Sequence, residues 1–207
     1  MLTMTACSVF GKSGVEAAPY SVSRTDGDIE IRSYKELVLV SAPMKGNMDN
    51  NKGAFNTLFG YISGQNKGSS KINMTAPVLM NPDVTDGQKI AMTAPVIVDQ
   101  DENSNQWIMS FVLPREFSFD TAPRPTNPDV TLSKITDLEV AAIKFSGVLN
   151  NKNAQKHREQ LESWISNNGY KVTGAYKTAG YNPPWTMPNM RRNEVLIPVE
   201  KALAAEG

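Results

Sequence analysis

Ile29-Glu30-Ile31-Arg32-Ser33-Tyr34 alternates apolar and polar residues with period two, which predicts a strand with one buried face. Asp26-Gly27-Asp28 supplies the turn before it. Leu37-Val38-Leu39-Val40 is unbroken apolar and predicts a second, more deeply buried strand. Over residues 50–63 the period changes. Ala54, Phe55, Leu58, Phe59 and Ile62 fall at i, i+1, i+4, i+5 and i+8, on one stripe of an amphipathic helix, with Asn56, Thr57 and Ser63 off it. Asp49 or Asn50 caps its start and Gly64 ends it. Phe55 and Phe59 either pack in the core with Leu58, or stand partly exposed while Ala54, Leu58 and Ile62 face the sheet.

An internal duplication follows. Lys71-Ile72-Asn73-Met74-Thr75-Ala76-Pro77-Val78 recurs as Lys89-Ile90-Ala91-Met92-Thr93-Ala94-Pro95-Val96. The prolines cannot donate to a ladder, so each copy is expected to end at a sheet edge or bulge. Trp107–Leu113, Val130–Ile135 and Val140–Phe145 read as further strands, and Ala122–Pro128 as an extended proline-rich loop. A second helix spans about Asn151 to Asn168, with Ala154, His157, Leu161, Trp164 and Ile165 on one face and Gly169 after its end. Tyr170–Tyr181, a loop through Pro183-Pro184-Trp185-Thr186-Met187, and a last strand Glu194–Val199 complete the chain. Two similar halves of strands and one helix each predict an α+β fold, an antiparallel sheet or barrel flanked by two helices.

Composition narrows the function. At 207 residues, 40% hydrophobic and 20% charged, the chain is a globular domain that folds without a disulfide or metal. Lysine plus arginine balances aspartate plus glutamate at 21 each, which gives no electrostatic case for nucleic acid. No stretch reaches the roughly 18 apolar residues of a membrane helix. One cysteine and one histidine exclude an internal disulfide, a thiolate zinc cage and a multi-histidine centre within the chain. No catalytic triad, metal cluster or glycine-rich phosphate loop is present, so an enzyme is the least favoured reading.

Met4-Thr5-Ala6-Cys7 looks like a lipobox, and Ser8–Gly14 like the small polar tether that follows one. Only six residues precede Cys7, too few for the charged and apolar regions of a secretion signal. Either a signal lies upstream, making Cys7 a lipid anchor on a periplasm-facing envelope protein, or the protein is cytoplasmic. On the first reading membrane attachment comes only through Cys7, by two or more acyl chains.

Several blocks resemble the SOUL family of haem-binding proteins, and together they span about residues 20–200. They are Ile29–Tyr34; Phe55–Gly64 leading into Lys71–Val78; Phe111–Pro114 followed by Pro123-Arg124-Pro125; and Ala179–Trp185 followed by Arg191–Val195. Their order and spacing carry the match. On this division residues 1–19 are a tether, 20–200 the domain and 201–207 a tail. The lipobox makes the chain similar to bacterial members. The resemblance implies a distorted barrel of about eight antiparallel strands carrying two helices, and non-catalytic binding of haem or a related tetrapyrrole. It places the ligand in a surface groove beside the first helix, with Lys52, Phe55, Phe59 and Ile62 from the helix and Trp185, Thr186 and Met187 from the late loop. A small barrel is filled by side chains or holds one small ligand, so its centre is a poor home for a porphyrin. His157 matches no motif of the family and is read as an ordinary hydrogen-bonded histidine. Arg191-Arg192 with Glu194 either grips an anionic ligand or braces the mouth of the last strand. Alternative functions are a binding module for other amphipathic small molecules and an envelope protein whose groove takes a protein partner.

Overall fold

A computed structural model describes residues 16–45, 52–67, 90, 92–100, 106–182 and 186–202. Its strands of three or more residues are β1 (Ser21–Asp26), β2 (Ile29–Pro43), β3 (Val96–Gln100), β4 (Trp107–Val112), β5 (Thr131–Phe145), β6 (Tyr170–Val172), β7 (Lys177–Gly180) and β8 (Asn193–Lys201), with helices α1 (Lys52–Ile62) and α2 (Asn151–Asn167). Six strands close into an antiparallel barrel in the order β8-β7-β3-β4-β2-β5 and back to β8. Outside that ring, β1 bonds to β2 and β6 to β8. The predicted α+β barrel with two helices is therefore the observed architecture, with six of its eight strands in the closed ring.

The two strands expected at each of 29–40 and 130–145 are single 15-residue strands, β2 and β5. They pair in one unbroken register from Ile29↔Ile143 to Ser41↔Thr131. Midway, opposite Lys35, Asp137 takes φ 50, a left-handed conformation that short polar side chains tolerate. Both strands change face there. Before the step, Ile29 and Ile31 lie outside the barrel against Leu161 and Ile165 of α2. Beyond it, Val38, Val40 and Ala42 lie outside against Ala54, Leu58 and Ile62 of α1, while Leu37 and Leu39 point in. The unbroken run Leu37–Val40 is thus buried on both faces. The reading of Ile29–Tyr34 as a strand with one buried face is corrected, because Arg32 and Tyr34 are also buried, on the interior side. Closure of the sheet takes away the solvent face that period two implies.

Both ends of α2 have a local cause. The Asn150 side chain caps α2 by accepting from the Asn153 N–H at 2.9 Å, and Gly169 follows the helix at φ 75, where a side chain would be strained. Tyr61, on the buried face of α1, donates its hydroxyl to the Pro123 carbonyl at 2.7 Å and so ties the helix to the proline-rich loop. Burial pushes its phenol up to about 12. The barrel interior is packed by Tyr34, Leu37, Leu39, Ile97, Val112, Val140 and Leu196. The void left among them is about 20 Å³, room for roughly one water.

Candidate functional site

The 3.6-residue period gives α1 a buried seam and two flanks. Ala54, Leu58, Tyr61 and Ile62 form the seam against the barrel. One flank carries Lys52, Phe55 and Phe59. Phe59 is 48% exposed and stacks on Phe55 with centroids 6.2 Å apart and planes 12° apart. Phe55 in turn meets the buried Phe111 edge-on at 5.4 Å. An aromatic face is therefore held open to solvent on a rigid base, and the exposed Lys52 stands one turn before it. Of the two readings of these phenylalanines, the split one describes the helix. Ile62 belongs to the core beneath the flank. On the opposite flank, Gly53 and Thr57 border a cleft of about 430 Å³ with Lys45, Gln106 and Asp129.

Thr186 and Met187 stand on a separate segment. The Arg191 Nε donates to the Thr186 carbonyl at 2.7 Å, and the Gly147 N–H donates to the Pro188 carbonyl at 2.8 Å, which holds this loop against the entry to α2. Met187 and Met190 expose 62% and 69% of their surface. Trp185, Cys7 and the first copy of the duplication lie outside the described residues. His157 stacks on Phe145 at 4.0 Å, and its Nδ1 lies 2.7 Å from the Asn153 carbonyl. Among the described residues no three His, Cys, Asp or Glu side chains converge in a way that could hold a metal.

The densest group of charges lies inside one end of the barrel; sequence reasoning named its Glu194 and Arg192 and missed Arg32. The Glu194 carboxylate, fully buried, accepts from Arg32 at 2.6 and 3.0 Å, from the Tyr181 hydroxyl at 2.7 Å and from Arg192 at 2.9 and 2.7 Å. Arg32 also pairs with Glu30, which bonds Lys144. Its guanidinium lies over the Tyr20 ring, and that of Arg192 over Tyr181. Burial pushes the Glu194 carboxyl up, but the Arg32 bonds, with Arg192 and Tyr181, more than offset it and hold the group below the usual carboxylate range. Arg192 is thus the brace at the mouth of the last strand, with its charge engaged by Glu194. The only sequence signal was Arg32 at an even position of an alternating strand, which looks the same as a solvent-facing arginine.

The family model described as "SOUL heme-binding protein" matches residues 15–86 and 81–198. Heme-binding protein 2 of Homo sapiens is 33% identical over 188 residues, covering 87% of this chain and 82% of that protein. Heme-binding protein 2 of Mus musculus is 29% identical over 187 residues with the same coverage. Among solved structures, the EcmrR C-terminal domain superposes with a TM-score of 0.59 at 12% identity, over 88% of this chain and 99% of that one. A structure described as a hydrolase from Listeria innocua gives 0.55 at 14% identity, over 86% and 94%. At such identities these two likenesses concern the fold alone.

Proposed function

Since this chain belongs to the SOUL haem-binding protein family, we propose that it binds haem or a related tetrapyrrole, without transforming it, against the aromatic flank of α1. The observation that carries this reading is the exposed Phe59, stacked on Phe55 and braced by Phe111. A flat macrocycle stacks on such a face, each aromatic pairing contributing about 0.5–1.5 kcal/mol beyond the area it buries. Lys52 pairs with a propionate, worth about 0–1 kcal/mol at an exposed position. The late loop, with Trp185, Thr186 and Met187, is the candidate for a second wall, and the exposure of Met187 supports it. The packed centre of the barrel supports a site outside it, since a void of about 20 Å³ there admits no porphyrin.

Hemin titration of the full chain, read by Soret absorbance and tryptophan quenching, tests the reading. A saturable one-to-one change is expected, weakened about tenfold by Phe59→Ala and by Trp185→Ala. His157→Ala and Thr57→Trp are expected to leave it unchanged. Loss on His157→Ala would make that residue the ligand. Loss on Thr57→Trp alone would move the ligand to the opposite flank of α1. A response no larger than that of an unrelated control protein would remove haem as the function and leave the fold standing.

A further inference from the structure

The open end of the barrel, opposite the charged plug, contains a cleft that the haem reading does not use. Sheet register places its inward-facing side chains in two rows. Pro43, Ile108 and Asp99 are cross-strand neighbours in one, and Thr131, Ser41, Ser110 and Ile97 in the next. All of these but Ile97 line, with Leu39, Ala42, Ser133, Ile135 and Gln106, a cleft of about 400 Å³, within the usual size of a small-molecule pocket. Leu39, Ala42, Pro43, Ile108 and Ile135 form the apolar part of the lining, and the Ser41 and Ser110 hydroxyls, 2.8 Å apart, belong to its polar part. Among the described residues the one charged side chain lining this cleft is Asp99. Its Oδ2 is bonded by Lys177, which lines the smaller void farther in and is absent from the cleft wall. The second carboxylate oxygen keeps its acceptor capacity. A ligand in the cleft therefore meets a mixed apolar and hydroxyl lining, the Gln106 amide, and the open oxygen of a carboxylate whose other oxygen is paired with Lys177.

From this geometry we infer that the barrel mouth is a second binding site, for a small planar organic cation or protonated amine whose N–H groups reach Asp99. An anionic tetrapyrrole is the wrong charge and too large for it. The two sites are therefore independent, and either can fail without the other.

The test uses proflavine, a planar fluorescent cation, with 9-anthracenecarboxylate as an anion of similar size, each titrated into the full chain. Saturable proflavine binding is expected, with the anion at least tenfold weaker. Asp99→Asn removes the charge and keeps the shape, and is expected to weaken proflavine about tenfold or more. Ile135→Trp fills the cleft and is expected to abolish binding. Thermal melts of both variants identify any that fail to fold, and Ser133→Trp at the rim then replaces them as the blocking variant. Hemin titration of the folded variants is expected to match the parent. Absence of proflavine binding, equal binding of the anion, or binding insensitive to the blocking variants would overturn the proposal.

Discussion

Arg32 and Glu194 are 162 residues apart in sequence and both fully buried, so neither is tolerable without the other. Removing one partner of a buried pair leaves an uncompensated charge. Glu194→Ala is accordingly expected to lower stability by about 3–5 kcal/mol, read by urea denaturation. The same site sets an acid limit. Burial raises the carboxyls of Glu194 and Glu30, but their cation partners lower them more, so both titrate below the ordinary glutamate value of 4.5. A group depressed in the folded state contributes its full stability above the unfolded value. It loses that contribution as pH falls through the folded one, where the unfolded chain binds more protons. Unfolding free energy is expected to drop steeply once pH passes below about 4.5. Glu194→Ala should flatten that slope, and a variant with the parent's full slope would show that the plug is not its source.

At the scale of the element, local pattern and tertiary demand diverge in three places. The step at Asp137 lets β2 and β5 exchange inner and outer faces without losing register, which is how one long strand pair serves both helices. Asp137→Val places a branched side chain at φ 50 and is expected to cost about 1–2 kcal/mol. Asp137→Gly is expected to stay within about 1 kcal/mol of the parent in chemical denaturation. Equal effects would mean that the step carries no backbone strain. β1 escaped detection because every residue in it is exposed, and a strand with no buried face shows no alternation. α1 was legible in its extent, and its stripe held Ala54, Leu58 and Ile62, the residues that meet the barrel. The seam also includes Tyr61, a residue whose hydroxyl requires a partner that only the folded loop at Pro123 supplies.

For the whole molecule, three apolar clusters divide the work: the barrel interior and two outer faces, one beneath each helix. Leu58 and Leu161 are fully buried in different outer clusters. Leu58→Ala and Leu161→Ala should each cost about 2–5 kcal/mol, with additive losses and an unchanged denaturant slope in the double variant. Strong coupling between them would instead mean that the two faces communicate through the barrel. The amino-acid sequence by itself determined the class of fold, both helices, most strand segments, and the blocks that identify the family. Each of these rests on period or on local motif. Only the tertiary structure decided that period-two polar positions point into a closed barrel and that Arg32 meets Glu194. It alone decided that Phe59 stays open while Ile62 is covered, and that Asp99 faces a cleft. Those outcomes depend on which surfaces meet when the sheet closes, and periodicity along one strand carries no information about what lies across the barrel.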